Sequence, residues 1–228
     1  MSGAAIPADV WIWSLDMASP DHWLSEDEKA RAARFVTSTL QQRWAASRAG
    51  MRGILGAALN RAPGSFQFGA GEHGRPFLVD VDCPYSFNLS HSGGLAALVI
   101  CEDVAGVDIE SIQPLTEDVE SMFFSPAEIA TLSGLSARER MQKFYRFWTA
   151  KEAVLKALGS GFSVSGKSFT VDLSTQGSPA LVEAHWENYE FGSWRLVEFE
   201  PAEGFAGALA VRTDREIDLT VRRWRFPD

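Results

Sequence analysis

A chain of 228 residues, 46% hydrophobic and 22% charged, can bury roughly 70–75% of its unfolded surface and has neither the charge excess nor the low complexity of a disordered protein. Its formal net charge of −9 argues against a nucleic-acid or anionic-membrane partner, and with no run of about 18 apolar residues and no secretory leader a cytoplasmic location is expected. Cys83 and Cys101 form no CxxC pair and have no histidines at ligand spacing, so free thiols are expected rather than a disulfide or a zinc site.

Val10 to Leu15 (VWIWSL) reads as a strand, and Ser25-x-x-Glu28 is a capping box that opens a helix over EDEKARAARF. A second helix is expected from Leu40 to Leu59. On a helical wheel Trp44, Met51, Leu55 and Leu59 form its apolar stripe, with Arg48 inside the stripe and Arg52 at its edge. A buried unpaired charge is costly, so an arginine there requires an anionic partner. Lys29, Arg31, Arg34, Arg43, Arg48 and Arg52 fall within 24 residues, a local concentration of positive charge in an acidic chain.

From Phe66 the pattern turns to short alternating runs, FQFG, GEHGRPFLV, SFNLSHSGGLAALVI and AGVDIESI, which read as strands with Ser92-Gly93-Gly94 as a tight reversal. Capping boxes follow at Ser125-x-x-Glu128, with Pro126 in the first helical position, and at Ser136-x-x-Glu139. The second of these opens a helix running through FYRFWTAKEAVLKALGSG, stopped by Gly159 and Gly161. The last third, KSFTVDL, ALVEAHW, WRLVEFE, FAGALAV and LTVRRWRF, suggests a mostly antiparallel sheet. GGLAALVI and GFAGALAV are alike in character, a faint sign of two similar halves.

In Gly106-Val107-Asp108-Ile109-Glu110 the strand period sends Val107 and Ile109 to one face and both carboxylates to the other. That pair is either the polar face of a solvated strand or half of a cation site. On the later helix Tyr145, Trp148, Glu152 and Lys156 share a stripe, with Phe144, Phe147, Lys151 and Leu155 on neighbouring faces. Glu152 and Lys156 are either a surface ion pair or, as their aromatic neighbours favour, groups projecting into a cleft. Oxygen ligands from two elements with little histidine suit a hard ion such as Mg²⁺ that completes its shell with phosphate oxygens. Ser90, His91 and Ser92 place hydroxyl and imidazole groups at a strand end, where His91 is equally a structural histidine or a donor.

FNLSHSG, GVDIE and FWTAKEAVLKALGSG, in this order and at these separations, resemble the three signature blocks of the Sfp-type phosphopantetheinyl transferases, in the subgroup with a Trp before Lys-Glu-Ala. The strong resemblance covers Tyr85 to Phe162. A weaker one reaches back through Gly74-Arg75-Pro76, where Arg75 stands at a position that is often lysine. It implies transfer of the phosphopantetheine arm of coenzyme A to a serine of an apo acyl or peptidyl carrier protein, releasing adenosine 3′,5′-bisphosphate. By motif, Asp108, Glu110 and Glu152 would hold Mg²⁺, and Lys151 and Lys156 would contact phosphate oxygens. Arg75, Ser90 and His91, with Arg48, Arg52 and either Arg43 or Arg31, would bind the adenine nucleotide end. Asp108, Glu152 and Lys156 would form the catalytic set, with Glu152 the candidate base, directly or through a metal-bound water.

The resemblance also implies an α+β fold of two similar halves, 1–113 and 114–228, each a small mostly antiparallel sheet with a long helix, joined near Gln113 to Thr116 and acting as a monomer. The first half would supply the nucleotide contacts with Asp108 and Glu110. The second would supply the Lys151/Glu152/Lys156 helix and the carrier docking region near Met122, Phe123 and Phe124, of which at least one belongs to the core. The rival readings are a non-catalytic coenzyme A binder or regulator, whose mark would be a lost carboxylate, and a Mg²⁺-dependent nucleoside-pyrophosphate hydrolase, which would want a denser run of glutamates on one helix.

Overall fold

The computed structural model describes residues 4–71, 74–79, 81–115, 119–159, 163–174, 177–186 and 193–227. β1 (Ile6–Ser14) begins earlier than its apolar run suggests, because Ile6 to Val10 pair with a strand near the C-terminus. α1 (Glu26–Ala32) follows its capping box: Ser25 Oγ accepts from the Glu28 amide at 3.2 Å and the Ser25 amide donates to the Glu28 carboxylate at 3.0 Å. α2 (Ser38–Leu59) starts behind a Thr37 cap. β2 (Phe68–Ala70), β3 (Pro76–Leu78), β4 (Ser86–Ser92), β5 (Leu95–Cys101) and β6 (Ala105–Ser111) occupy the alternating middle of the chain.

Gly93 and Gly94 close the β4–β5 hairpin, Gly93 at φ +56, where a side chain would be strained. α3 (Glu120–Phe123), α4 (Pro126–Leu132) and α5 (Ala137–Leu158) follow, the last two behind the capping boxes at Ser125 and Ser136. Gly159, at φ +66, ends α5, whereas Gly161, like Thr116 of the expected joint, lies outside the described residues. The chain ends with β7 (Phe169–Asp172), β8 (Ala180–Ala184), β9 (Arg195–Phe199), β10 (Phe205–Val211) and β11 (Ile217–Arg223).

The α+β architecture repeats itself. β1, the long helix α2 and the hairpin β4–β5 that returns onto β1 correspond to β6, the long helix α5 and the hairpin β9–β10 that returns onto β6. The likeness of GGLAALVI and GFAGALAV follows from this, since they are β5 and β10, each in the interior of its sheet. Both are buried on both faces and therefore read as continuous apolar runs rather than alternating ones. The two sheets face each other through Ile6, Val10, Val99, Val107 and Leu209. α2 covers the outer face of one with Met51 and Leu55, and α5 covers the outer face of the other with Phe147, Ala153 and Val154.

The halves exchange strands. β11 runs parallel to β1 and extends the first sheet, to the order β11-β1-β5-β4, so the antiparallel pattern expected of the last third stops at β10. β6, which precedes residue 113, belongs to the second sheet, in the order β6-β10-β9. β4 and β6, edge strands of different sheets, lie side by side. Ser86 Oγ, Asn88 Oδ1, Ser90 Oγ and Ser92 Oγ accept from the amides of Ala105, Val107, Ile109 and Ser111 at 3.1, 3.0, 3.3 and 3.1 Å. Side chains of β4 thus satisfy the amides along the edge of β6 that would otherwise be unpaired. No described helix is long and apolar enough to cross a membrane.

Candidate active site

α5 crosses β6 at Gly106. A Cβ there would stand 2.2 Å from the Ala153 carbonyl oxygen and 2.4 Å from the Ala157 amide, so only glycine permits the approach. Asp108 and Glu110 follow on the same face of β6, and α5 carries Glu152 and Lys156 over them. Lys156 Nζ donates to Asp108 Oδ1 at 2.6 Å and to Ser90 Oγ at 2.9 Å, while Ser90 Oγ donates to the same carboxylate oxygen at 2.8 Å. Ser92 Oγ donates to Glu110 Oε2 at 2.6 Å.

These carboxylates are poorly hydrated. Burial, then the charges of Asp108 and Glu110, push Glu152 up to about 7 against the pull of Lys156. Burial likewise raises Asp108 against Lys156 and Ser90, and raises Glu110 against Ser92. Desolvation and mutual repulsion both favour a proton or a cation between them. Among the described residues no group of three or more His, Cys, Asp or Glu side chains is already gathered around an ion position. Lys156 and Ser90 engage one oxygen of Asp108 and Ser92 engages one of Glu110. The other oxygen of Asp108, Oδ2, is buried without a hydrogen-bond partner. That orphaned oxygen, in an all-carboxylate donor set, fits a hard divalent cation such as Mg²⁺.

A cavity of about 590 Å³ opens beside this cluster, lined by Leu89, Met122, Trp148, Glu152, Lys156 and Val164 among others. A second hollow of about 380 Å³, lined by Arg31, Trp44, Arg48, Phe68 and His91, shares Gly74, Pro76 and Leu89 with it. His91 is exposed at its rim, yet the protein around the ring removes enough water, and Lys156 adds enough positive charge, to lower its pKa. Of the three apolar residues before α4, Phe124 is core, Phe123 lies against Trp148 with ring centroids 4.5 Å apart, and Met122 is 66% exposed.

The structure therefore gathers Ser90, Asp108, Glu110, Glu152 and Lys156, with His91 at the rim, and gives five expected anion contacts, Lys151, Arg48, Arg52, Arg75 and Arg43, partners within the protein. Lys151 points to the opposite side of α5, where its fully buried ammonium donates to both Glu128 oxygens at 2.7 Å and to the Phe169 carbonyl at 2.6 Å. Burial, opposed by Glu128, holds it down at about 8. Facing a carboxylate in the core, it is not placed to meet a phosphate. The anion that Arg48 and Arg52 require is Glu28: both Nε atoms donate to its carboxylate at 2.8 Å, and Arg52 also donates to the carbonyls of Pro63 and Phe66. Arg52 is 1% exposed, whereas Arg48 lines the smaller hollow.

Arg75 lines the larger cavity, but its guanidinium donates to protein acceptors, the Ala157 carbonyl at 2.9 Å, Ser86 Oγ at 2.9 Å and the Ala105 carbonyl at 3.2 Å. It caps the C-terminal end of α5. Arg43 ties Asp16, at 2.6 Å, to the Gly93 carbonyl, at 3.0 Å. Two residues outside the expected set emerge instead, Glu28 and Glu128, legible in the sequence only as capping-box members. Ser92, expected as a hydroxyl at a strand end, gains a partner in Glu110; Ser86, Asn88, Ser90 and Ser92 repeat a polar side chain every second residue of a strand.

Comparison with known proteins agrees with this geometry. A model of the 4′-phosphopantetheinyl transferase superfamily matches residues 105–210, the segment that holds Asp108, Glu110, Glu152 and Lys156. The 4′-phosphopantetheinyl transferase HetI of Nostoc sp. is 33% identical over 217 residues, covering 89% of this chain and 87% of that protein. Two Bacillus subtilis 4′-phosphopantetheinyl transferases, ffp and Sfp, are 31% and 29% identical, each over 88% of this chain and 93% of its own length. Identity across nearly the whole of both chains, with the carboxylate cluster inside the matched segment, means that this chain belongs to the 4′-phosphopantetheinyl transferase superfamily.

Proposed function

We propose that the protein moves the 4′-phosphopantetheine arm of coenzyme A onto a serine of an apo carrier protein and releases adenosine 3′,5′-bisphosphate, using Mg²⁺ held by Asp108, Glu110 and Glu152. The observation that carries this reading is the cluster of three desolvated carboxylates, with the orphaned Oδ2 of Asp108, beside the Lys156 ammonium and a cavity of about 590 Å³. When bound, the metal neutralises pyrophosphate charge and orients the bond to be broken. Lys156 contacts a phosphate oxygen, and His91, Arg31 and Arg48 hold the nucleotide end in the smaller hollow, while Ser90 stays committed to Asp108. Glu152, desolvated beside Asp108 and Glu110, takes the serine proton as the serine oxygen bonds to the phosphorus that carries the pantetheine arm; the bond from that phosphorus to the bridging oxygen breaks, and the bridging oxygen leaves with the nucleotide.

The carrier docks against exposed Met122 at the mouth of the larger cavity. The protein works as a monomer in the cytoplasm, without nucleic-acid or membrane partners, and its two functional halves divide near residue 113 despite the exchanged strands. The test is incubation with coenzyme A, Mg²⁺ and several apo carrier proteins, followed by weighing the carriers. Gain of the phosphopantetheine mass is expected, and is expected to vanish on chelation. Coenzyme A binding without any mass gain sinks the transferase reading in favour of a binder, and bisphosphate release without a carrier favours a hydrolase.

A further inference from the structure

We infer that Ser92 is a positioning residue for Glu110, acting from the last rung of the side-chain ladder that joins β4 to β6. The inference rests on the metal reading above and concerns how this chain holds one of the proposed ligands.

The rungs of the ladder are not equivalent. Ser86 and Asn88 each accept one β6 amide, and neither reaches a carboxylate. Ser90 and Ser92 do both: each hydroxyl accepts an amide and donates its only proton to the carboxylate of the residue just before that amide. The pairing follows from strand geometry. The amide of Ser111 lies in the plane of the sheet facing β4, and the Glu110 side chain leaves the strand on the α5 side, so one oxygen between them can serve both groups. Because the Ser111 amide is itself fixed by the β6–β10 pairing opposite Phe205, a lone pair of Ser92 Oγ is committed and its proton direction is set.

Glu110 needs that constraint more than Asp108 does. Asp108 is 2% exposed and held by Lys156 as well as Ser90. Glu110 is only half-buried, sits near the end of β6 and has a longer side chain to order. Its 2.6 Å bond from Ser92 is short and charge-assisted, the kind of contact that orients a ligand carboxylate without touching the metal. The chain places this hydroxyl immediately before Gly93, on whose turn the Phe205 ring is seated, so the donor is anchored from both strands.

The test uses Mn²⁺ as the probe, with coenzyme A present, following free Mn²⁺ by electron paramagnetic resonance in the full-length wild type, Ser92→Ala and Ser92→Thr. Ser92→Ala is expected to raise the Mn²⁺ half-saturation about tenfold, and Ser92→Thr, which keeps the hydroxyl, to stay within about twofold of the wild type. In the transfer assay the same shift should appear in the metal concentration needed, with much of the rate recovered at saturating metal. A Ser92→Ala protein that binds Mn²⁺ as the wild type does, even with a lowered melting temperature, overturns the inference and leaves the ladder merely structural. If Ser92→Ala does not fold, Ser92→Cys, which fills the same space with a weak donor, carries the same two outcomes. A wild type that binds no Mn²⁺ under these conditions would end the metal reading itself and this inference with it, an outcome distinct from the failure of Ser92 alone.

Discussion

Lys156 Nζ lies 2.6 Å from Asp108 Oδ1 and 2.9 Å from Ser90 Oγ, so an ammonium from α5 neutralises a strand carboxylate that is 2% exposed. Removing that cation strands a buried charge, which typically costs about 3–5 kcal/mol, less here because the lysine is partly solvated. Lys156→Met is therefore expected to lose about 2–3 kcal/mol in metal-free urea unfolding. Transfer should fall by about a hundredfold or more, as when a charge-stabilising donor is removed from an active site. Unchanged stability would mean that Asp108 is protonated in the metal-free protein and needs no counterion.

Glu152 supplies a prediction with a definite sign. Its carboxyl is raised from 4.5 to about 7, so the folded protein holds the proton more tightly than the unfolded chain. Stability is then lost as pH rises from about 4.5 to about 7, and the loss is complete above that. Glu152→Gln carries no such penalty. Without metal it should exceed the wild type at pH 8 by an amount on the order of 2–3 kcal/mol and match it near pH 4. Unfolding midpoints at the two pH values decide it, and a difference that does not change with pH would sink the account.

Gly106→Ala should push α5 away from β6, since the added methyl would meet the backbone of Ala153 and Ala157 rather than a flexible side chain. Overpacking of this kind costs about 1–3 kcal/mol, and the displacement also separates Lys156 from Asp108. The expected result is a folded protein with a lower melting temperature and a disproportionately lower transfer rate. Equal activity at saturating coenzyme A and metal would show that the helix tolerates the shift.

Lys151→Met separates the two lysines of α5. It leaves Glu128 buried without its cation and should destabilise the protein by about 3–5 kcal/mol, whereas Lys151→Met with Glu128→Gln should recover much of that loss, because both charges are then gone. Urea unfolding of the wild type, the single and the double variant measures the coupling. A single variant with wild-type stability and impaired coenzyme A binding would return Lys151 to the ligand.

The features legible in the residues alone are local or periodic. The capping boxes at Ser25, Ser125 and Ser136 all close, because an Ncap and its N3 partner are three residues apart and need nothing else. The alternation of GVDIE put Val107 and Ile109 in the core and Asp108 and Glu110 on the opposite face for the same reason. The wheel likewise showed that Arg48 and Arg52 needed an anion, and that Glu152 and Lys156 share a face.

Which groups meet is set by how the elements pack. Lys151 and Glu152 are adjacent in sequence and about 100° apart on the helix, so one faces Glu128 and β7 while the other faces the β6 carboxylates, and no spacing rule says which. The anion for Arg48 and Arg52 is Glu28, and a single capping residue could not announce that α1 folds back onto α2. β11 joins β1 across nearly the whole chain, and Ser92 reaches Glu110 across two sheets. The physical reason is common to all four: capping and side-chain alternation settle within a turn or a strand, while the partner of a charge, a hydroxyl or a strand edge depends on which surfaces the burial of apolar residues brings together.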